Sequence, residues 1–187
     1  ELLTGMGLDR ALWDGTITSG ELAWRHLKRR DHPGFVGLGP RALHIGPERD
    51  LSVAAEQDFV LVGDPGQADF VLNTGPDPER GATDPAAYRD LLEPCARRGL
   101  PMLCVNPDRH VMFGERRIIC AGALADYYVA LGGPPAVEIE AVQEILGTKV
   151  PIAGGYTLGQ VISPDGATPK FLNQHIVVIV FGEQSAT

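Results

Sequence analysis

A run of apolar residues that leads directly into a rigid polar turn constrains this chain more than any other stretch. Pro101–Val105 has the composition of a buried strand, and Asn106-Pro107-Asp108 follows it at once. Pro107 restricts Asn106 to extended geometry, so we expect the Asn106 amide and the Asp108 carboxylate in a fixed arrangement. In α/β folds, ligands bind beyond the carboxyl ends of strands. Asn106 and Asp108 are therefore our predicted substrate-binding residues, and the alternative is that Asn-Pro-Asp is simply a good turn.

A strand, a helix and a second strand in succession predict a parallel sheet around this turn. Phe70–Leu72 is typical of a short buried strand, and Asp84-Pro85 supplies a helix N-cap followed by proline at the first helical position. Apolar residues recur at helical spacing from Tyr88, although Pro94 is expected to kink or shorten this helix. The strand Pro101–Val105 completes the crossover, which implies parallel pairing.

Other signals extend the pattern to a small α/β domain with helices on the faces of its sheet. Thr18-Ser19-Gly20-Glu21 is a capping box that predicts a helix to about Arg29. Ala42–Ile45 and Phe59–Val62 are predicted to be buried strands. The remaining predicted elements of this domain are a short helix over 50–57, a hairpin of His110–Phe113 and Arg117–Cys120, and a helix from Ala121 to about Leu131.

The character of the chain changes near Gly132-Gly133-Pro134-Pro135. All 13 arginines lie before this junction. We therefore predict an α/β region over 1–134 and a short α+β antiparallel tail over 135–187, with a helix from Val137 to Leu146 and a β-rich run over Phe171–Phe181. The 53 residues of the tail are too few to make an independent core the expected outcome.

Composition excludes several classes of partner. The net charge of −8 argues against general binding of nucleic acid or anionic membranes, which require excess cations. The sequence contains no run of about 18 apolar residues, so no transmembrane helix is predicted. The three cysteines are an odd number without paired spacing, which favours buried, reduced thiols in a cytoplasmic protein. The chain opens on Glu1 rather than methionine, so we expect a piece upstream of it. The oligomeric state is not predicted.

Residues from about Leu8 to Gly133 resemble class IIA of the haloacid dehalogenase (HAD) superfamily, which comprises sugar-phosphate and nitrophenyl-phosphate phosphatases. The segments that carry the resemblance are Thr18–Glu21, Leu43–Asp50, Asp69–Gly75, Leu100–Asp108 and Cys120–Ala125. The resemblance implies a Mg²⁺-dependent phosphohydrolase with a Rossmann-like core and an inserted α/β cap that selects a small phosphorylated metabolite. It also implies that this chain is mostly cap, and it places Asn106 and Asp108 at the junction of cap and core.

The catalytic motifs implied by that resemblance are missing. The family needs an aspartate nucleophile with a second Asp two residues later, whereas Leu12-Trp13-Asp14 has leucine in the first position. The family's Gly-Lys-Pro is expected a few residues beyond Gly133, where this sequence has Pro134-Pro135-Ala136. The segment around Lys149 is loosely similar to that motif but lies at the wrong distance from Gly133. We therefore predict a hydrolase-like chain with no catalytic residues, no metal ligands and no cofactor of its own, and no turnover of phosphate esters.

The tail resembles a different family, which gives an alternative function. Pro151–Gln160 and Phe171–His175 are similar to the C-terminal end of FIST sensory domains, a likeness that spans about 136–183. The resemblance implies a non-catalytic, small-ligand sensory module. His175 could line such a ligand pocket or lie on a strand surface.

Overall fold

The structure is a computed structural model that describes Asp9, residues 15–139 and residues 178–180. It has an α/β fold. The strands are β1 (Gly15–Ile17), β2 (Arg41–Ile45), β3 (Val60–Val62), β4 (Phe70–Asn73), β5 (Met102–Cys104), β6 (His110–Phe113), β7 (Arg116–Ile119), β8 (Val137–Glu138) and β9 (Val178–Val180). The helices are α1 (Ser19–Arg29), α2 (Arg89–Arg97) and α3 (Ala121–Ala130), with 3₁₀ helices at Glu48–Ala54 and Pro85–Tyr88.

Five strands form a parallel sheet in the order β3-β2-β4-β5-β8. Leu43 pairs with Val71 where β2 meets β4, and Leu72 pairs with Leu103 where β4 meets β5. The predicted crossover therefore joins neighbouring parallel strands, and the predicted α/β fold class is confirmed. β6 and β7 form the predicted antiparallel hairpin, whose turn contains Gly114 at a φ of 59°.

Both faces of the sheet are covered, because successive side chains of a strand point to opposite sides. In β4, Phe70 and Leu72 join the cluster formed with α1, whereas Val71 joins the cluster formed with α2 and α3. All three side chains are fully buried. Burial of each large apolar side chain contributes about 1.5–3 kcal/mol, so alternation along this central strand fixes its register.

The predicted helix starts are also confirmed. Thr18 Oγ1 accepts a hydrogen bond from the Glu21 N–H at 3.0 Å, and an Asp84 side-chain oxygen accepts one from the Ala86 N–H at 2.9 Å. α2 includes Pro94 and continues to Arg97, so proline does not end the helix early. It removes the hydrogen bond that an N–H at this position would donate, and the helix continues for three residues beyond it.

The predicted short helix over 50–57 is present, as a 3₁₀ helix over Glu48–Ala54 that begins and ends earlier. Two other local predictions are wrong. Among the described strands β3 has one neighbour, β2, so Val60 and Leu61 remain 61% and 42% exposed instead of buried. Val137–Glu138 forms a parallel strand beside β5, so the predicted helix does not begin at Val137.

The sheet therefore crosses the predicted junction at 132–135, while the division of the chain into two domains stays a prediction. Val178–Val180 lies in the predicted β-rich run and pairs antiparallel with Gly15–Ile17. The rest of the predicted tail, including Pro151–Gln160 and His175, lies outside the described residues. Among the described residues, no helix has both the length and the apolar character needed to cross a membrane.

Candidate functional site

The carboxyl ends of β2, β4 and β5 meet at one edge of the sheet, because these three neighbouring strands are parallel. Polar residues follow or end each of them. His44 and Gly46 lie at the end of β2, Asn73 and Thr74 at the end of β4, and Asn106 just beyond β5. We call this the carboxyl edge. It is the place where α/β sheets bind ligands.

Asn106 and Asp108 both lie at the carboxyl edge, but their environments differ. The Asn106 side chain is 4% exposed, and its Oδ1 accepts a hydrogen bond from the Asp108 N–H at 3.1 Å. This Asx turn uses the Asn106 side chain to hold the backbone. Asp108 is exposed. Asn106 thus shapes the turn with its buried amide, whereas Asp108 has an exposed carboxylate. Their role in substrate binding stays a prediction.

Arg109 fixes the Asn-Pro-Asp turn to the elements on either side. Its guanidinium donates to both carboxylate oxygens of Asp126 in α3 at 3.1 Å, lies 2.9 Å from Glu138 Oε1 in β8, and donates to the Pro107 carbonyl at 2.6 Å. The hydrogen bond to Asp126 is the largest cause that raises the pKa of Arg109 above its usual range. The guanidinium therefore stays charged and ties α3 and β8 to the turn.

Close packing against α3 holds the same turn from another direction. The Gly122 N–H donates to the Asp108 carbonyl at 3.0 Å, and a Cβ on Gly122 would lie 2.1 Å from the Pro107 carbonyl oxygen. Only glycine allows this close approach of the two backbones. The turn is consequently preorganised rather than shaped by a ligand.

A second polar cluster at the carboxyl edge consists of His44, Thr74 and Asp50. His44 Nε2 and Thr74 Oγ1 are 2.8 Å apart, and Thr74 Oγ1 also lies 3.4 Å from the Ile45 carbonyl oxygen. Burial lowers the pKa of His44 to about 4, despite the opposing effect of Asp77. His44 is therefore a neutral, hydrogen-bonded residue of β2 at neutral pH.

Asp50 was not predicted as a site residue, and its environment is unusual for a carboxylate. Its side chain is only 4% exposed, and its Oδ2 has no hydrogen-bond partner within the part of the chain that the structure describes. Burial raises the pKa of Asp50 to about 6, while Arg49 and Thr74 oppose this rise. Sequence reasoning missed Asp50 because an acidic residue in a short polar segment is normally solvated.

The cysteines match the prediction of buried, reduced thiols. Cys95, Cys104 and Cys120 are free and buried. Burial raises the pKa of Cys95 to about 11 and those of Cys104 and Cys120 to about 12. Since the thiolate is the reactive form, burial disfavours a nucleophilic role for these cysteines at neutral pH.

The described residues do not fit a magnesium site. Nowhere in that part of the chain do three His, Cys, Asp or Glu side chains converge so that they could hold a metal ion, whereas Mg²⁺ needs several oxygen ligands in octahedral geometry. Asp14 and Lys149, the residues that superficially match catalytic motifs, lie outside the described residues.

The fold and site thus define an α/β protein with a preorganised polar turn at the carboxyl edge of its parallel sheet. No protein-family model and no curated protein matches the chain. A haloacid dehalogenase-like hydrolase from Brucella suis 1330 is similar to it, with 32% sequence identity and a TM-score of 0.51 over 71% of this chain and 49% of that one. A p-nitrophenyl phosphatase from Archaeoglobus fulgidus is 17% identical with a TM-score of 0.47, over 64% of this chain and 42% of that one.

The chain therefore spans about half the length of the solved structures it matches. Its similarity to the Brucella protein includes sequence as well as fold, and supports the predicted relation to HAD-like hydrolases. Class IIA within that superfamily and the FIST-like tail remain predictions.

Proposed function

We propose that this chain is the cap-like, ligand-covering part of a class IIA HAD-like phosphatase, and that it binds a small phosphate monoester without hydrolysing it. The observation that carries this proposal is the similarity to a HAD-like hydrolase at 32% identity over 71% of the chain. The described residues form a five-stranded parallel sheet with a rigid polar turn at its carboxyl edge, where α/β sheets bind ligands. In intact relatives, Mg²⁺ and a catalytic core would supply the chemistry.

The geometry of the turn divides the binding role between two residues. Asn106 is engaged with the Asp108 N–H and holds the backbone, whereas the exposed Asp108 carboxylate can accept hydrogen bonds from a ligand hydroxyl or amine. A carboxylate repels phosphate, so Asp108 contacts the organic part of the ester. The cap would in this way select the leaving group rather than the phosphoryl group.

Titration calorimetry with the full chain tests the binding role. We expect glycerol 3-phosphate to bind, and Asp108→Asn to weaken binding by about tenfold, because a hydrogen bond to a charged group is lost. Asp64→Asn is the matched control, since Asp64 is an exposed turn aspartate that follows β3. Equal binding by Asp108→Asn and the wild type would contradict the assigned role of Asp108.

Phosphate release in the presence of Mg²⁺ tests the absence of turnover. We expect no release above the uncatalysed rate, because the sequence lacks the nucleophile, lysine and metal-site motifs that the resemblance implies. Activity that Asp14→Asn abolishes would overturn this part of the proposal.

The alternative is a non-catalytic sensor whose ligand site lies in the FIST-like tail. Only the sequence resemblance of the tail favours it. Binding of an unphosphorylated metabolite to the full chain, lost in His175→Ala and unchanged in Asp108→Asn, would favour the sensor over the cap.

A further inference from the structure

We propose that Asp50, together with Thr74 and His44, forms a subsite for an amino group on the phosphorylated ligand. This inference rests on the proposed function and specifies its substrate class as amino-bearing phosphate monoesters. None of these three residues was among the predicted binding residues.

The first argument is the unpaired oxygen of Asp50. Asp50 lies in the 3₁₀ helix that follows β2, and its N–H donates to the Pro47 carbonyl at 3.0 Å. The side chain is 4% exposed, yet Oδ2 has no hydrogen-bond partner among the described residues. Buried polar atoms in native proteins are almost always paired, so an exception calls for an explanation. One explanation is that a hydrogen-bond donor on a ligand pairs with this oxygen.

The second argument is that Arg49 compensates Asp50 only in part. The Arg49 Nε lies 3.6 Å from Asp50 Oδ1, which is longer than a direct hydrogen bond. The Arg49 side chain is also 44% exposed, so solvent screens its charge. Burial outweighs Arg49, because the pKa of Asp50 is raised despite this neighbour, so the carboxylate has negative charge that a ligand cation can compensate.

The third argument is the position of the cluster. Thr74 and His44 come from β4 and β2 at the carboxyl edge, and Thr74 is close enough to oppose the rise in the pKa of Asp50. A Cβ on Gly46 would lie 1.9 Å from Thr74 Oγ1 and 2.9 Å from His44 Nε2. Glycine at this position therefore allows the Thr74 and His44 side chains to pack against the backbone that follows β2. The subsite and the Asn-Pro-Asp turn therefore occupy the same edge of one sheet.

Charge favours an amine over a hydroxyl. An ammonium group brings three hydrogen-bond donors and no acceptor, and it neutralises a carboxylate. The charged groups around the cluster are Asp50, Asp77, which acts on His44, and Arg49, which lies 3.6 Å from Asp50. A hydroxyl would satisfy Oδ2 but would leave its charge uncompensated.

Titration calorimetry on the full chain, with phosphoethanolamine and ethyl phosphate as probes, tests the inference. The two ligands differ in the amino group. We expect phosphoethanolamine to bind about tenfold more tightly, as one charge-assisted hydrogen bond would give. Asp50→Asn should bind both ligands equally, while Glu48→Gln should retain the preference, since Glu48 is an exposed acid in the same 3₁₀ helix.

The outcomes separate this inference from the function on which it rests. Equal binding of both probes by the wild type, or a preference that persists in Asp50→Asn, would overturn the amine subsite and leave the proposed function standing. Failure of both probes and of glycerol 3-phosphate to bind would overturn the proposed function, and the subsite with it.

Discussion

Replacement of Asp50 by asparagine is expected to stabilise the protein at neutral pH. Burial raises the pKa of Asp50 from 3.8 to about 6. A difference of about 2 in pKa corresponds to about 3 kcal/mol, and solvent does not screen it, because the side chain is only 4% exposed. The asparagine amide would itself lack a partner, which costs about 1 kcal/mol. The net gain in the free energy of unfolding at pH 7 is therefore about 2 kcal/mol.

The sign of the pH dependence follows from the direction of this pKa shift. A raised pKa in the folded state means that folding disfavours the charged carboxylate. The contribution of Asp50 to stability is fully present below pH 3.8 and is lost as the pH rises through about 6. The advantage of Asp50→Asn over the wild type should consequently appear between pH 4 and pH 7 and vanish at pH 4.

His44 makes the comparison with the wild type essential. Its pKa is lowered to about 4 in the folded state, so its contribution is present above 6.5 and is lost as the pH falls through about 4. The contributions of Asp50 and His44 to stability change in opposite directions between about pH 4 and pH 6. The pH dependence of wild-type stability therefore reveals neither contribution by itself. The difference between variant and wild type cancels His44 and isolates Asp50.

Urea unfolding followed by circular dichroism at pH 4, 5, 6 and 7 measures this difference. Glu48→Gln removes the same charge from an exposed position of the same 3₁₀ helix and should change stability little at any pH. The reasoning is refuted if Asp50→Asn is no more stable than the wild type at pH 7, or if its advantage is the same at pH 4.

Three further predictions concern buried groups and close backbone packing. Tyr128→Phe removes the hydrogen bond that the buried hydroxyl donates to the Leu100 carbonyl at 2.6 Å, so urea unfolding should show a loss of about 1–2 kcal/mol. Gly122→Ala would place a Cβ 2.1 Å from the Pro107 oxygen and should cost about 2 kcal/mol or more, whereas Gly63→Ala, in open space, should be far milder. The three thiols should react with a disulfide reagent only on unfolding, because their pKa values lie between about 11 and 12; rapid reaction of the native chain would contradict their burial.

Sequence predicted the elements whose signals are local. The Thr18 and Asp84 caps each need a side-chain oxygen near an N–H two or three residues away, and the structure contains both hydrogen bonds. Of two adjacent tyrosines on a helix only one can face the core, and Tyr128 is buried while Tyr127 is partly exposed.

The errors concern features that depend on partners distant in sequence. The sequence of Val60–Val62 does not reveal that this strand has one neighbour among the described strands, since strand order is set by the whole sheet. Val137–Glu138 becomes a strand because β5 offers it a free edge, which overrides local helical preference. The burial of Asp50 depends on how its 3₁₀ helix packs beside Thr74, a residue 24 positions away in the chain.

A ³¹P NMR experiment on the full chain with glycerol 3-phosphate and Mg²⁺ tests the central claim most directly, because one spectrum reports both binding and turnover. The account predicts that the ester resonance broadens in the presence of the protein and that no inorganic phosphate appears over hours. A growing inorganic phosphate signal would show that the chain is a complete catalyst. An ester resonance that the protein leaves unchanged would show that the carboxyl edge binds no phosphorylated ligand of this kind.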